Sequence, residues 1–352
     1  MSYSIPSVAE ILKNTSNGKH KFEVVSLFAG GGGSSTGYRM AGGKVLAINE
    51  FIPQAQETYK ANYPDVHIIA DDIRQISGAK ILELVGKKEG ELDLLDGSPP
   101  CSAFSMAGKR NKNWGKVKTY SSTKQANVED LFFDFTRVLR EIKPKTFIAE
   151  NVAGLCYGKA KGYLNDILKE MNDAGYIVKV KLIDALWLGV PQRRKRTIFV
   201  GIRKDLWLDK YKNRTHPRPH KKIVTLGEAF KGLTFTDQDR IETDETKYAV
   251  YKLLKTLAAG RQHYKRFNLV KLSPNDASYC ITATSGTKGA ARPMHWDNRA
   301  LTIGETKRIM SVPDDFILTG TYGEKTERLG RMVAPFMMKE VSSNLQSLGV
   351  FK

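Results

Sequence analysis

The sequence predicts a doubly wound α/β fold, with a mostly parallel sheet and a second, smaller unit. Three observations carry that expectation. From Phe22 to Arg203, short apolar runs alternate with longer stretches of helical spacing, the pattern of a parallel sheet with helices on its faces. After Arg203 the alternation stops, and RKDLWLDKYKNRTHPRPHKK is charged and proline-containing, as boundary or surface loops are. The length of 352 residues exceeds the common single domain and is short for three.

The candidate strands, in order, are FEVVSLF, KVLAINE, HIIADDI, LDLLDGS, TFIAENV, IVKVKLID and RTIFVGIR. Residues from about 204 to 298 mix the aromatics Trp207, Phe230, Phe235, Tyr264 and Phe267 without βα alternation, and belong to the smaller unit. The closing stretch GRMVAPFMMKEVSSNLQSLG has helical spacing, with an apolar stripe of Val333, Met337, Met338, Val341 and Leu345. Such a helix must bury its stripe, and the large unit is the expected place.

Charge narrows the class of partner. There are 56 Lys and Arg against 37 Asp and Glu, a net charge of +19. A field of that sign attracts polyanions, of which nucleic acid is the usual one, although a generally basic surface would read the same way. Cys101, Cys156 and Cys280 lie far apart, without the spacing of a disulfide framework or zinc site. No secretory leader or membrane-spanning run is visible, so a reducing, cytoplasmic setting without metal is expected.

The chemistry sits at the ends of the strands. VVSLF runs into FAGGGGSSTG, so Gly30 to Gly33 form the turn into the first helix; glycine there permits positive φ and close approach of a ligand to the backbone. The second strand ends at Glu50, where a carboxylate can accept from ribose hydroxyls. The third ends at Asp71 and Asp72, placed to meet an adenine edge. These features indicate an adenosine-containing cofactor and, alone, fit a nicotinamide-dependent dehydrogenase equally well.

LDLLDGSPPCSAFSMAGK places Cys101 beyond a strand and behind two prolines, on the ligand-facing edge of such a sheet. A lone cysteine is usually a small core hydrophobe, but Ser, Pro and Gly neighbours argue for a loop. GKRNKNWGKVKTYSSTKQ follows, long, cationic and free of acids. It reads either as a lid that holds phosphates or as a solvated surface loop. TFIAENV brings Glu150 and Asn151 to another strand end, where a carboxyl can serve as acid or base. VPQRRKRTIFVG places Arg194 and Arg196 at alternating positions, which predicts that both point to one face.

With these residues assembled, the chain resembles the cytosine-5 DNA methyltransferases of prokaryotic or phage type. FAGGGG, NE, DDI, PPCS, ENV, QRRKR, RALTIGETKRI and GRMVAP occur in the family's order. The resemblance implies a Rossmann-like S-adenosylmethionine methyltransferase fold, with a catalytic, cofactor-binding domain of residues 1–202 plus 328–352. It implies a small domain of 203–327, whose segment from about 204 to 298 recognises the target. Phe28, Ala29, Gly30, Gly32, Gly33, Glu50, Asp72, Ile73, Pro100 and Leu131 are then cofactor-binding positions. Cys101 matches the nucleophile, Glu150 the acid, and Arg194 and Arg196 the arginines that hold the base and the catalytic loop. Ser105, Lys109, Arg110, Lys112 and Lys116 become nucleic-acid contacts. Arg299, Thr302, Glu305 and Arg308 match the motif that organises the small domain. Two departures stand out: Arg331 occupies the place of the family's usual asparagine, and Ser102 that of a common glutamine.

The implied reaction transfers a methyl group from S-adenosylmethionine to carbon 5 of a cytosine flipped out of a specific duplex sequence, leaving S-adenosylhomocysteine. Double-stranded DNA is the expected partner of a monomeric protein without membrane association. A tRNA cytosine methyltransferase is the rival within the same chemistry, but the Cys-Phe-Thr tripeptide of the RNA-acting branch is absent from the sequence. A catalytically silent DNA-binding relative is the other rival, and would have no reason to keep Cys101, Glu150 and both arginines together.

Overall fold

A computed structural model describes the chain apart from residues 1, 2, 17, 101–117, 121, 122, 126–129, 159, 235–245, 267, 288 and 352, and for 118–120 and 123–125 it describes backbone only. Two compact units share the chain. The larger comprises Ile11–Ile183, Lys195–Arg218 and Met338–Lys352; the smaller comprises Met1–Glu10, Asp184–Arg194 and Pro219–Met337.

Strands in chain order are β1 (Phe22–Leu27), β2 (Gly43–Asn49), β3 (His67–Ile69), β4 (Leu94–Gly97), β5 (Lys118–Tyr120), β6 (Thr123–Gln125), β7 (Thr146–Val152), β8 (Tyr176–Asp184), β9 (Lys195–Arg203), β10 (Val270–Lys271) and β11 (Pro293–Met294). The helices are α1 (Val8–Thr15), α2 (Gly33–Met40), α3 (Pro53–Asn62), α4 (Gly78–Val85), α5 (Leu131–Ile142), α6 (Ala160–Asp173), α7 (Leu226–Phe230), α8 (Ala249–Lys255), α9 (Ile303–Ile309), α10 (Tyr322–Arg331) and α11 (Pro335–Ser347).

The larger unit is built on a seven-stranded sheet of order β3-β2-β1-β4-β7-β9-β8. β1 runs parallel to β2 and β4, β2 to β3, and β4 to β7, whereas β9 is antiparallel to β7. The expected mostly parallel, doubly wound α/β architecture is therefore present. Strand order reverses between β1 and β4, the position at which open α/β sheets bind ligands beyond their carboxyl ends.

The core of this unit is aromatic where α5 meets the sheet. Leu131, Phe132, Phe135, Val138, Leu139 and Ile142 recur at three- and four-residue spacing and are buried, so one helix face is apolar apart from the buried Thr136. Phe135 meets Phe147 at 5.9 Å and Phe147 meets Tyr176 at 5.2 Å, both edge to face. β9 makes room for this cluster: a Cβ on Gly201 would lie 2.0 Å from the Phe147 ring. α5 ends at Lys143, whose φ of 51° is followed by Pro144, a residue that cannot continue a helix.

The closing stretch departs from the single helix its spacing predicts. α10 ends at Arg331, and α11 starts at Pro335, because proline suits the first turn of a helix and not its interior. Val333 thus lies in the break, although all five residues of the stripe are buried. Within the larger unit Phe351 stacks on Phe22 at 4.4 Å.

In the smaller unit, three T-x-x-E sequences start α7, α9 and α10 as reciprocal capping boxes, Thr225 with Glu228, Thr302 with Glu305 and Thr321 with Glu324. Arg299 holds both oxygens of Glu305 at 2.9 and 2.6 Å, and Arg308 clasps Asp314. β10 and β11 form a short parallel pair beside an apolar cluster of Val250, Leu254, Leu269 and Met294. Arg331 pairs with Glu327 one helical turn back. Among the described residues, no helix is long and apolar enough to cross a membrane.

Candidate active site

At the carboxyl end of β1 the backbone turns through three residues of positive φ, Phe28 (55°), Gly30 (56°) and Gly32 (95°). That conformation is ordinary for glycine and uncommon for phenylalanine; non-glycine residues held this way concentrate at ligand-binding turns. Gly33 then opens α2, and Phe28, Ala29 and Gly30 remain partly exposed. Glu50 fixes the turn from the end of β2. Its Oε2 accepts from the Gly30 amide at 2.7 Å and its Oε1 from the Ile52 amide at 2.8 Å.

Asn49 fastens the neighbouring strand end, donating to the carbonyls of Ile69 and Asp71 at 3.0 and 2.9 Å. Asp72 follows, partly exposed, and caps a short 3-10 turn by accepting from the Arg74 amide at 3.1 Å. Ile73 and Leu131 are each 3% exposed and packed in the apolar core. Pro100, three residues beyond β4, is half-buried. Cys101, Ser105, Lys109, Arg110, Lys112 and Lys116 lie outside the described residues.

Glu150, near the end of β7, is 8% exposed and pairs with Arg196 of β9 at 2.6 Å. The antiparallel register that sets Val152 against Arg196 brings these side chains together. Next to Glu150, the buried Asn151 donates to the Pro99 carbonyl at 3.2 Å, tying the ENV strand to the Pro-Pro segment that leads into Cys101. Replacing Glu150 by glutamine keeps the shape but removes the charge and the titratable proton. If Glu150 is the acid of the reaction, turnover should fall about 10²- to 10³-fold with donor binding retained; a single-turnover rate equal to that of the parent would reject the role.

Arg194 lies one residue before β9 begins. The β7–β9 ladder begins only at Arg196, so strand alternation does not reach back to residue 194, and the two arginines fall in different units. Arg194 is 1% exposed; Nη1 donates to the Ile281 carbonyl at 3.0 Å, and Nη2 to the carbonyls of Gly330 and Met332 at 2.9 and 2.7 Å. Gln192 of the same motif accepts from the Ile281 amide at 3.1 Å. These two side chains hold the smaller unit's main chain.

One buried group escaped the sequence reading. Asp96, 1% exposed on β4, accepts from Ser26 Oγ at 2.5 Å and Tyr38 OH at 2.7 Å. It pairs in register with Ile148, two residues before Glu150 and therefore on the same sheet face. Burial pushes the Asp96 carboxyl up to about 7 against the opposing pull of the two hydroxyls, and the charge of Glu150 adds to the rise. An unfolded aspartate titrates near 3.9, so across about pH 4–7 the folded chain keeps a proton that the unfolded chain has lost. This group's contribution to stability therefore falls as pH rises through that window and levels off above it. Asp96→Asn should gain on the parent by about 1 kcal/mol per pH unit there. Urea unfolding at pH 5, 6, 7 and 8 checks this, and a pH-independent difference would contradict it.

Residues 22–347 match the family of C-5 cytosine-specific DNA methylases, and the chain belongs to that family: it is a DNA cytosine-5 methyltransferase. Among its relatives, the Type II methyltransferase M.PspPI of Psychrobacter sp. is 31% identical, over 89% of this chain and 76% of the relative. M.Eco47II of Escherichia coli is 30% identical with the same coverage. In fold it is similar to a prophage-encoded E. coli protein described as a DNA modification methyltransferase, with a TM-score of 0.75, 21% identity and coverage of 93% and 99% of the two chains. Spodoptera frugiperda DNMT2 is also similar, with a TM-score of 0.65, 19% identity and coverage of 93% and 100%.

Proposed function

We propose that the chain methylates carbon 5 of cytosine within one short duplex sequence, using S-adenosylmethionine as the donor and Cys101 as the nucleophile. The observation that carries this reading is the Glu150–Arg196 pair beside Asn151, whose bond to Pro99 O at 3.2 Å joins the acid's strand to the segment entering Cys101. The positive-φ turn of Phe28 to Gly32, with Glu50 bound to it, follows β1 beside the switch point of the sheet, which fits a nucleoside-bearing donor. S-adenosylmethionine supplies an electrophilic methyl group when bound.

The protein's own groups account for the remaining chemistry. Carbon 5 of cytosine is a poor nucleophile until the Cys101 thiolate adds to carbon 6 and makes the ring an enamine. Glu150 holds the proton at ring nitrogen 3 as charge develops, and Arg196 keeps that carboxyl placed and polarises the neighbouring carbonyl oxygen. After transfer, loss of the carbon 5 proton expels Cys101 and restores aromaticity. The stacked base must first leave the duplex, at a cost of a few kcal/mol. Lys109, Arg110, Lys112 and Lys116 offset part of that cost through phosphates, with Ser105 contacting the strand. We assign the target-recognition region to residues from about 204 to 298, within a small domain of 203–327, and the catalytic domain to 1–202 plus 328–352. We assign the protein a monomeric state and a place in the cytoplasm, beside the nucleoid or in the host of a phage.

The test is transfer of labelled methyl from S-adenosylmethionine to mixed-sequence duplex DNA and, in parallel, to tRNA, with the modified cytosines sequenced. Label at cytosine carbon 5 in one short DNA motif supports the proposal. Label confined to tRNA, or donor binding without transfer, would overturn it.

A further inference from the structure

The short turn that carries Ile73 is held from behind by two side chains of α5 that the reaction above does not use. Arg137 donates from Nη2 to the Ile73 carbonyl at 2.7 Å and from Nη1 to the Ile76 carbonyl at 3.0 Å. One helical turn on, Glu141 Oε2 accepts from the amide of Gly78, the first residue of α4, while Glu141 Oε1 accepts from Arg137 Nη1 at 3.2 Å. One helical turn earlier, Asp134 Oδ1 lies 3.5 Å from Arg137 Nε. The guanidinium is thus flanked by carboxylates at i−3 and i+4 of its own helix, and its planar fork is aimed before it reaches the turn.

The segment so gripped is fixed at its other end as well. Asn49 donates to the Asp71 carbonyl at 2.9 Å, and Asp72 caps the 3-10 turn of Ile73–Gln75. Gly78 lets α4 start hard against α5, since a Cβ there would lie 2.6 Å from Glu141 Cβ. A single 3-10 turn has little stability of its own; here its carbonyls are satisfied by an arginine 61 and 64 positions away in sequence. The Ile73 side chain is anchored in the core, whereas the Asp72 carboxylate, between the two anchorages, remains partly exposed.

We propose that Arg137, steadied by Asp134 and Glu141, is a positioning residue for the base of the methyl donor: it fixes the main chain on which Asp72 and Ile73 meet adenine, and thereby sets how well the site tells adenine from another purine. The assignment rests on the donor reading above. Hydrogen bonds weaken steeply with misalignment. The exocyclic amine of adenine can donate to the Asp72 carboxylate, whereas hypoxanthine carries a carbonyl oxygen at that position and would set acceptor against acceptor. A turn released from Arg137 loses this discrimination first. In the same reading the reacting end of the donor sits at the Phe28–Gly32 turn, which is held by Glu50 and not by Arg137, so transfer from a saturated site is spared.

The experiment titrates the full-length parent, Arg137→Gln and Arg137→Lys by calorimetry with S-adenosylhomocysteine and with S-inosylhomocysteine, and measures methyl transfer to duplex DNA at saturating S-adenosylmethionine. The parent is expected to favour the adenosyl ligand by at least about 10-fold. Arg137→Gln should bind that ligand about 10-fold more weakly and the inosyl ligand by a smaller factor, so that the preference narrows. Its kcat should stay within about 3-fold of the parent's while KM for the donor rises. Arg137→Lys, which keeps the charge and one contact but not the fork, should recover part of the preference and still fall short of the parent. Equal losses for the two ligands, or a kcat that falls more than KM rises, would overturn the proposal, because a prop between two helices has no reason to distinguish purines. A parent that binds neither ligand, or both equally, would instead sink the donor reading itself. Thermal unfolding identifies a variant that has lost its fold. Should glutamine do so, the lysine variant decides by the same ratio of affinities, which does not depend on how much of the sample is active.

Discussion

Alanine at position 101 is expected to abolish methyl transfer to DNA, by at least about 10⁴-fold, while leaving donor binding intact. Addition of a thiolate at carbon 6 is what makes carbon 5 nucleophilic, and no later group in the reaction substitutes for it, so deleting the nucleophile removes the pathway and not one contribution to it. The remaining thiols offer no bypass. Cys156 Sγ is engaged with Thr197 Oγ1 at 3.1 Å, and Cys280 Sγ accepts from Arg194 at 3.5 Å. Donor binding should persist because the Phe28–Gly32 turn and Glu50 are held by their own hydrogen bonds. Quench-flow transfer assays alongside calorimetric titration with S-adenosylmethionine separate the two effects. Residual turnover above one part in about 10³ of the parent would show that another group attacks the ring.

Arg194→Met carries the largest expected loss of stability, about 3–5 kcal/mol. Methionine fills much of the volume but leaves the carbonyls of Ile281, Gly330 and Met332 without the guanidinium that they share. A buried carbonyl that loses its charged donor forfeits the bond and keeps the desolvation penalty. The segment around Gly330 has no slack to compensate: a Cβ there would lie 2.3 Å from the Thr282 main chain. Scanning calorimetry should show a transition lowered by about 6–20 °C. A shift of under 2 °C would mean that the clamp contributes little.

The strand ends were legible because each is announced by its own residues. Apolar runs stop at Phe28, Glu50, Asp72 and Glu150, and the sheet places those residues at or just beyond the ends of β1, β2, β3 and β7. The capping box at Thr302 carries a local signature of the same kind, T-x-x-E, although the motif there was matched only through the family resemblance. What stayed hidden was non-local. Asp96 reads as one more acid at a strand end, and only the register of β1 and the packing of α2 bring Ser26 and Tyr38 onto it. Arg194 was legible as a motif arginine, but its burial against the main chain of residues 281, 330 and 332 was not, because those partners are remote in sequence. The break before Pro335 is invisible to the apolar spacing, which runs through it, and lies instead in the proline's need for a helix's first turn.

The interleaving of the two units has a consequence for synthesis. Each is assembled from three separated stretches, so no contiguous piece of the chain corresponds to either. Phe351 lies on Phe22, the first residue of the first strand, and the final stretch belongs with the sheet. On the ribosome, the amino-terminal strands therefore emerge long before the residues that cover them. Contacts of such sequence separation form slowly, and the nascent sheet must wait for the carboxyl-terminal segment to leave the exit tunnel before the start of its first strand is covered.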